Sequence, residues 1–369
     1  MKKQNVKVCH LTTVHKPNDV RIYQKECLSL AACGYEVSLI APYEKNFSSG
    51  EITYIPIRKR VKRIPRMLAG SMELLRKARK IKADIYHFHD PELISIGIFL
   101  RLSGKKVIYD VHEDYPGQIR TKTWLGPLII RRCMAAIMTF AEWLGASLFT
   151  GMIAVTAEIA ARFPADKTVV VSNYPVLGLI DRFPEEKVTK EHPVVLFAGG
   201  LDRIRGIREI IMAIGSVRNN AELWLLGPWE DERFRKECME LDGWEKTRYL
   251  GNVPFGKHYS WMKAADIGVI NFYAVDNHIF AMPNKPFEYM ACGLPMVMSN
   301  FEKWKAYFSP VALFADPERP EEIAAALDEL LEHEGNRQRM SLKAREMVQS
   351  EFSWEKEKEV LSSFYEKLV

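Results

Sequence analysis

Short apolar runs alternate with amphipathic helical patterns along most of the chain. The runs are rich in Val, Ile and aromatic residues, which is typical of buried strands. Because helical patterns separate them, the strands are predicted to be parallel and to form doubly wound sheets, an α/β fold class. In the first half, strands are predicted at 7–13, 35–42, 51–57, 84–89, 106–112, 151–156 and 168–173, and helices at roughly 20–34, 66–82, 92–103, 128–147 and 156–163.

A Pro-rich, charged stretch without periodicity, residues 174–193, separates two such halves and is predicted to be a linker. After it, residues 319–369 are predicted to be wholly helical. Two Rossmann-like domains facing across a cleft are expected, with ligands at the carboxyl ends of the strands. Strands of the second domain are predicted at 193–199, 222–227, 247–251, 267–272, 295–300 and 311–316.

Length and cysteine usage narrow the class of protein. The chain has 369 residues and is 47% hydrophobic, which suits two domains better than one core. Six scattered cysteines without a C-x-x-C pair, and a start too polar for a signal peptide, favour a reducing cytoplasm. The apolar stretch 133–155 could pass for a membrane span, but Gly145 and Gly151 predict a buried helix followed by a strand.

The net charge of +5 hides a strong asymmetry. Residues 1–175 carry 27 Lys and Arg against 15 Asp and Glu, whereas residues 176–369 carry 25 against 32. The stretch 58–82 holds eleven Lys and Arg and one Glu, with apolar residues interleaved. It lacks the stacking aromatics of a nucleic-acid groove, so no nucleic-acid partner is predicted. It fits either an anionic membrane surface or a solvated helix packed on the sheet.

Two loops at predicted strand ends of the second domain point to an anion. In "FAGGLDRIRGIREII", Gly199 and Gly200 let the backbone approach a ligand, and Arg203 and Arg205 supply guanidinium groups. A diphosphate would fit there, although a solvated surface turn explains the loop as well. This loop is therefore one half of a predicted donor site.

The stretch "MPNKPFEYMACGLPMV" forms the other half. Asn284 can cap a helix, Lys285 adds a point charge, and Glu288 follows one turn in. A carboxylate cannot serve a phosphate, but it can accept hydrogen bonds from ribose hydroxyls. The alternative is that Glu288 only complements the helix dipole.

In the first domain, polar residues end two strands, in "HFHDPE" and "YDVHEDYP". The spacing of their histidines follows no zinc pattern, so no metal site is predicted. Histidines as donors to sugar hydroxyls or an anion are favoured. Between the first strand and the first helix, Asp19 could cap that helix, and Arg21 and Lys25 lie four residues apart. The polar residues of the two strand ends are His87, His89, Asp90, His112, Glu113 and Asp114.

In motif content the chain resembles the retaining glycosyltransferases of family 4, which have the GT-B fold. The likeness covers essentially the whole chain and is strongest over 194–316, where "LWLLG", "LGNVPF" and "AADIGVINF" join the two loops above in the family's order. The resemblance implies that Glu288 binds the ribose, Arg205 the diphosphate and the backbone of Val253 the base. It implies that His112 lies near the donor sugar, and that a last helix, 351–369, crosses back to the first domain.

Two positions depart from the family pattern. Phe280 stands where the family's Glu-x7-Glu has its first acid, and Gly200 stands where arginine is common. Both fit a subgroup with P-N-K-x-F-E-Y-M, in which Asn284 and Lys285 are the candidates for contacting the donor sugar.

The resemblance implies transfer of a sugar, with retention, from a nucleotide-sugar, UDP-linked in the first instance, to a glycan or lipid-linked acceptor. Cell-surface polysaccharide synthesis at the inner face of the membrane would fit, with no cofactor and no required metal. A nucleotide-sugar 2-epimerase of the same fold, or a non-catalytic sugar-nucleotide-binding or polysaccharide-binding protein, is the alternative. Domain bounds of 1–175 and 176–350 are expected. The predicted site residues are catalytic His112, Arg205 and Lys285; donor-binding Gly199, Gly200, Arg203, Gly227, Val253, Asn284 and Glu288; and acceptor-side Asp19, Arg21, His89 and Asp90.

Overall fold

A computed structural model of the chain describes residues 6–45, 47–48, 50–275, 278–279 and 282–369. Phe280, which the sequence analysis singled out, lies outside the described residues. The chain divides into two compact units. Unit 1 comprises residues up to 173 together with 354–369, and unit 2 comprises 174–353. From the sequence, one boundary was predicted between residues 175 and 176 and another between residues 350 and 351.

Unit 1 contains a seven-stranded parallel sheet in the order β3-β2-β1-β4-β5-β6-β7. All of these strands fall within the ranges predicted from the apolar runs, because buried parallel strands need apolar side chains on both faces. Their bounds are β1 Lys7–Leu11, β2 Glu36–Pro42, β3 Thr53–Ile57, β4 Ile85–Phe88, β5 Lys106–Val111, β6 Gly151–Ala154 and β7 Thr168–Val170.

The helices of unit 1 depart from the prediction in several places, including Arg66–Gly70, which forms π-type turns within the predicted helix 66–82. Residues Val20–Cys27 form wide π-type turns instead of an ordinary α-helix. The helix Tyr115–Thr121 was not predicted, since its apolar content is low. The helices are α1 Leu28–Ala32, α2 Arg63–Pro65, α3 Ser71–Ile81, α4 Ile94–Leu102, α5 Tyr115–Thr121, α6 Leu128–Leu148 and α7 Ala157–Ala160, with π-type turns also over Arg66–Gly70 and 3-10 turns at Pro91–Leu93, Thr123–Leu125 and Ala165–Lys167.

The apolar stretch 133–155 forms a helix and then a strand, as predicted, but the expectation of a buried helix is wrong, since Ile137, Phe140 and Trp143 are 69%, 60% and 62% exposed. Helix α6 continues through Gly145 to Leu148, and β6 starts at Gly151. Gly145 is a packing position, because a Cβ there would lie 2.6 Å from the ring of Phe149. Among the described residues, no helix combines the length and apolar character that crossing a membrane requires.

Unit 2 contains a six-stranded parallel sheet in the order β10-β9-β8-β11-β12-β13. Its strands also fall within the predicted ranges. They are β8 Val194–Ala198, β9 Glu222–Leu226, β10 Thr247–Gly251, β11 Ile267–Ile270, β12 Met296–Ser299 and β13 Ala312–Ala315.

The helices of unit 2 cover both faces of this sheet, and the last helix of the chain, α16, belongs to unit 1. The predicted linker 174–193 carries one short helix, and the tail is helical almost throughout. The helices are α8 Leu177–Ile180, α9 Ile207–Ser216, α10 Glu232–Met239, α11 Lys257–Ala264, α12 Lys285–Ala291, α13 Glu302–Phe308, α14 Pro320–Glu332, α15 Glu334–Ser350 and α16 Trp354–Leu368, with 3-10 turns at Arg203–Arg205 and Asp242–Lys246.

Each sheet has one place where the strand order reverses direction. In unit 1 it lies between β1 and β4, and in unit 2 it lies between β8 and β11. Loops that follow such a pair of strands diverge to opposite faces of the sheet and leave a crevice at the carboxyl ends. Most of the predicted polar loops follow these strands, and the loop in "YDVHEDYP" follows β5, the neighbour of β4, so the topology gathers the loops at two places, one in each unit.

Candidate active site

A cavity of about 310 Å³ lies at the carboxyl ends of β8 and β11 in unit 2. It brings together six of the residues predicted to bind or activate a donor, and it has an apolar wall as well. The predicted residues in its lining are Gly199, Gly200, Arg205, Asn284, Lys285 and Glu288, and the others are Phe197, Ala198, Val269, Ile270, Phe272, Pro283 and Tyr289.

The glycine loop after β8 is shaped by Gly227, which does not line the cavity itself. A Cβ at Gly227 would lie 1.8 Å from the carbonyl oxygen of Gly199, and the φ angle of Gly227 is +141°. Any side chain there would therefore push the loop away from the end of β9. Gly227, predicted to bind the donor directly, instead supports the loop that lines the cavity.

The guanidinium of Arg205 is held at the cavity wall by Asp202. Its Nη1 donates to the Asp202 carboxylate at 2.9 Å and to the carbonyl of Gly200 at 3.2 Å. The backbone N–H of Arg205 also donates to Asp202, at 2.9 Å. The guanidinium carbon lies 5.7 Å from the ring centre of Phe272. Partial burial raises the pKa of the Asp202 carboxyl, and the Arg205 charge opposes that rise.

Arg203, two residues earlier, lies outside the cavity lining. Its guanidinium contacts Glu230 at 3.2 Å and Glu237 at 2.9 Å, and it lies 4.4 Å from the ring centre of Phe234. The predicted donor contact of Arg203 does not fit this placement, because carboxylates of the following segment already surround its charge. From the sequence alone, the two arginines of this loop could not be told apart, and only the structure shows that Arg205 lines the cavity and Arg203 does not.

Helix α12 presents Asn284, Lys285 and Glu288 to the cavity. Lys285 Nζ and the Glu288 carboxylate form an ion pair. Asn284 has helical dihedral angles and makes no side-chain cap bond, so the predicted capping role is wrong, and the residue lines the cavity. Tyr289 anchors the helix, since its hydroxyl accepts from the N–H of Ala198 at 2.9 Å.

His258 on α11 is a neighbour of this ion pair that the sequence analysis did not identify. Burial and the charge of Lys285 lower the pKa of His258 to about 4, so its imidazole is neutral near pH 7. In the sequence, His258 is only a histidine near the start of a helix, and that is weak evidence for a role in a site. Val253, predicted to meet the base, is half-buried against the apolar core and is not part of the cavity lining.

Most of the predicted polar residues of unit 1 form one cluster at the carboxyl ends of β1, β4 and β5, whereas Asp114 caps α5 and Glu113 accepts a hydrogen bond from Gln118. Asp90 accepts hydrogen bonds from the hydroxyl of Thr12 at 2.9 Å and the backbone N–H of Thr13 at 2.6 Å. Asp19 caps the π-type turns, as predicted, by accepting from the N–H of Ile22 at 3.0 Å. Burial opposes ionisation of Asp19, but its hydrogen bond with His15 lowers its pKa to about 2.

Arg21 is buried in the core of this cluster and does not face solvent. Its Nε and Nη2 donate to the two oxygens of Asp110 at 2.9 and 2.8 Å, and its Nη1 donates to the carbonyl of Val171 at 3.0 Å. Burial alone would raise the pKa of Asp110, but the Arg21 charge and two histidines hold it well below its usual range. The predicted direct acceptor contact of Arg21 therefore does not fit, because all of its donating groups face protein atoms.

Asp110 also positions His112, the predicted catalytic histidine. His112 Nε2 lies 2.7 Å from Asp110 Oδ2, and its side chain remains partly exposed. His89 is fully buried, with Nδ1 3.1 Å from the same carboxylate. Burial lowers the pKa of His89 to about 4, although its bond to Asp110 works in the other direction. The partly exposed members of the cluster are His112, His15 and Asp19, while Arg21, His89 and Asp110 lie beneath them.

Two protein-family models match the chain, one in each half. Residues 25–174 match the model described as Glycosyltransferase Family 4. Residues 207–361 match the model described as Glycosyl transferase-like. An uncharacterized glycosyltransferase of Methanocaldococcus jannaschii is 27% identical over 296 residues, which span 74% of this chain and 73% of that protein.

Solved structures show the same architecture. Sucrose-phosphate synthase from Thermosynechococcus elongatus has a TM-score of 0.78 at 16% identity, with 99% of both chains covered. The Anabaena protein HepE in complex with UDP-glucose has a TM-score of 0.70 at 13% identity, with 98% of this chain and all of that chain covered. These likenesses establish a GT-B fold of two Rossmann-like units.

Proposed function

We propose that this chain, which its two matched domains identify as a glycosyltransferase, transfers a sugar from a nucleotide-sugar to a glycan or lipid-linked acceptor with retention of configuration. The observation that carries the proposal is the cavity of unit 2. The backbone of Gly199 and Gly200, the cations of Arg205 and Lys285, and the carboxylate of Glu288 all line this cavity of about 310 Å³.

The lining matches the parts of a nucleoside diphosphate sugar. Arg205 offers a planar pair of donors to a diphosphate, and Lys285 adds a second positive charge. Glu288 accepts hydrogen bonds from ribose hydroxyls once a ligand draws Lys285 toward the phosphates. The Anabaena relative was solved with UDP and with UDP-glucose, which supports a UDP-linked donor here.

Transfer would develop negative charge on the leaving diphosphate. Arg205 is held beside the cavity by Asp202, so it can stabilise that charge without reorganisation, and Lys285 adds a second positive charge once it turns from Glu288 toward the phosphates. We therefore propose that transfer requires no added divalent cation. In unit 1, His112 is oriented by Asp110 at 2.7 Å and would serve the reacting sugar as a hydrogen-bonding group.

Incubation with isotopically labelled nucleotide-sugars tests the function. We expect labelled sugar to appear on an added membrane-lipid or glycan fraction, or as free sugar by slow hydrolysis. Formation of a 2-epimer without transfer would favour the epimerase alternative. Binding without any turnover across UDP-, GDP-, ADP- and CMP-linked donors would favour a non-catalytic binding protein.

Replacing Glu288 with alanine should weaken nucleoside diphosphate binding. Loss of a carboxylate that accepts from two hydroxyls leaves polar groups unpaired, which costs about 1–3 kcal/mol, or roughly 5- to 150-fold in affinity. Calorimetric titration with UDP measures the change. Glu230→Ala, which removes an exposed carboxylate outside the cavity, should leave the affinity unchanged. Equal affinities for all three proteins would exclude a ribose contact for Glu288.

The acceptor is proposed to be lipid-linked because unit 1 exposes cations and apolar side chains together. In the polybasic segment 58–82, Val61 is 87% exposed, and Ile64 and Leu68 are each 70% exposed. Some of its cations are neutralised by Glu73 and Glu92. Among the described residues, its exposed cations without an ion pair include Arg58, Lys62, Arg63, Arg76, Lys80 and Lys82.

Helix α6 adds a second apolar surface to the same unit. Ile129 is 73% exposed and Trp143 is 62% exposed, and Phe140 lies between them along the helix. A groove lined by Arg120, Arg132, Phe140 and Trp143, among others, runs beside it. The single carboxylate of α6, Glu142, is buried and paired with Arg162, so the exposed face of this helix carries no negative charge. Exposed aromatic and basic side chains of this kind suit an anionic lipid surface.

We expect sedimentation with anionic liposomes that fades as salt rises, because each cation near the surface contributes roughly 1 kcal/mol of screened attraction. Changing Arg58, Lys59, Arg60, Lys62 and Arg63 to Gln should weaken it. A control with the same loss of charge changes Arg233, Lys236, Arg248, Arg319 and Lys343 of unit 2 to Gln and should sediment like the wild type. Equal sedimentation with neutral vesicles, or none with either, would make a soluble acceptor the better proposal.

A further inference from the structure

Three histidines and one glutamate meet in the interior of unit 1, beneath the cluster that contains His112. His10 comes from β1, His87 and His89 come from the end of β4, and Glu26 comes from the π-type turns before α1. His10 and His87 are paired in register on neighbouring strands. All four side chains are fully buried. The sheet order, and not sequence spacing, brings them together.

The four side chains converge on one point, where Glu26 makes no hydrogen bond to any of the three histidines, although His10 Nδ1 and His89 Nε2 lie 3.0 Å apart, within hydrogen-bonding distance of each other. Glu26 Oε2 lies 3.9 Å from His10 Nδ1, 3.8 Å from His87 Nε2 and 3.9 Å from His89 Nε2. These separations exceed the reach of about 3.2 Å for such bonds. Arg21 Nε comes within 3.1 Å of the other Glu26 oxygen, but it directs its hydrogen to Asp110.

As a result, buried polar atoms remain unsatisfied. Within the described part of the chain, both oxygens of Glu26 and Nε2 of His87 have no hydrogen-bond partner. The Glu26 carboxyl is therefore buried beside one guanidinium but without a hydrogen bond to either oxygen, and this arrangement favours an additional group. Sharing of a proton between Glu26 and a histidine would need contacts shorter than the 3.8–3.9 Å observed.

A metal ion accounts for these separations. Ligands at about 2.0–2.2 Å from a tetrahedral zinc ion lie about 3.3–3.6 Å from one another. The glutamate–histidine separations of 3.8–3.9 Å, and the 3.0 Å between His10 Nδ1 and His89 Nε2, lie within several tenths of an ångström of that spacing. All four candidate ligand atoms lie within 4.8 Å of one another.

The outer contacts of two histidines also match those of metal ligands. A ligating imidazole usually donates its other N–H to a carboxylate or another oxygen, which sets its tautomer. His89 Nδ1 lies 3.1 Å from the carboxylate of Asp110. His87 Nδ1 lies 2.7 Å from the hydroxyl of Tyr365 on α16. Both contacts leave Nε2 of these rings directed at the shared point.

We propose that His10, Glu26, His87 and His89 bind one divalent first-row transition metal ion, with zinc the best match to three imidazoles and one carboxylate. Because the protein supplies four ligands in a fully buried position, the site is structural. It joins β1, β4 and the turns before α1, and through Tyr365 it secures the C-terminal helix α16. It is separate from the donor cavity of unit 2.

Elemental analysis of the full-length, untagged protein tests the site. Protein expressed with added zinc and purified without chelator should contain about one equivalent of metal. Protein stripped by chelator in denaturant and refolded should melt lower than the same protein refolded with Zn²⁺, by roughly 5 °C or more. Refolding with Co²⁺ should produce the visible absorption of a tetrahedral complex.

Glu26→Gln keeps the size of the side chain and removes the anionic ligand, so its metal content should fall at least fivefold. Glu142→Gln changes another buried carboxylate of unit 1 and should keep the full equivalent. If wild-type protein expressed with added zinc contains less than a tenth of an equivalent of any transition metal, and neither Zn²⁺ nor Co²⁺ changes the refolded protein, the proposal is wrong. Retention of the full equivalent in folded Glu26→Gln would also overturn it.

Discussion

Replacing Arg205 with alanine is expected to lower kcat about 100-fold or more, the scale seen when one preorganised electrostatic donor is removed. The guanidinium is held at the cavity wall by Asp202, and its charge is available where a leaving diphosphate would lie. KM should change less than kcat, because the charge to be stabilised grows in the transition state. Since the side chain is 35% exposed, the free energy of unfolding should change by less than about 1 kcal/mol.

The matched control for this experiment is Arg203→Ala, in the same loop. Arg203 is occupied by Glu230 and Glu237 and lies outside the cavity lining, so kcat should remain within about threefold of the wild type, a range consistent with loss of an exposed ion pair. Steady-state kinetics with the donor found by the labelling assay provide the comparison. If Arg203→Ala abolished turnover and Arg205→Ala did not, the assignment of the two arginines would be reversed.

Replacing Arg21 with methionine is expected to produce the largest loss of stability among the variants considered. The change keeps much of the volume but removes the buried cation paired with Asp110, leaving that carboxylate with only its contacts to His89 and His112. Breaking a buried ion pair from one side costs about 3–5 kcal/mol. Loss of the bond to the carbonyl of Val171 adds to the effect.

Urea denaturation followed by far-UV circular dichroism measures this loss. Arg203→Met, which breaks an exposed ion-pair network in unit 2, serves as the control and should lose far less stability than Arg21→Met. A double variant, Arg21→Met with Asp110→Asn, should recover part of the stability, because it removes the unpaired charge. An Arg21→Met protein as stable as the control variant would show that Asp110 is neutral or solvated in the folded protein.

The architecture of both units could be predicted from the sequence because its signals are local. Each strand is an apolar run bounded by turn residues, and every strand of both sheets falls within a predicted range. The glycine loop and the "PNKPFEYM" stretch each follow a strand, so their meeting at one cavity follows from parallel topology. Helix α5 and the π-type geometry of Val20–Cys27 were not predicted, because they depend on capping and packing and not on the periodicity of apolar residues.

The interior of unit 1 contains contacts that local sequence patterns could not predict. Arg21 and His89 looked like polar residues at strand ends, yet both are buried around Asp110, which lies on a different strand. The histidines at the end of β4 do not follow the sequence spacing of a known metal-binding motif. Their proposed partners, His10 and Glu26, come from segments that are distant in the sequence. His258 likewise becomes a neighbour of Lys285 only when α11 and α12 pack together.

The sequence by itself therefore determined the α/β class, the strand positions and the composition of the donor loops. The periodicity of apolar residues, the turn residues and the glycines that indicate them each affect the structure over only a few residues. Tertiary structure alone decided which charged side chains face the cavity and which are neutralised. Arg205 and Arg203 are chemically alike, and only the positions of Asp202, Glu230 and Glu237 separate their roles. The physical reason is that charge pairing and burial depend on atoms brought together from distant parts of the chain.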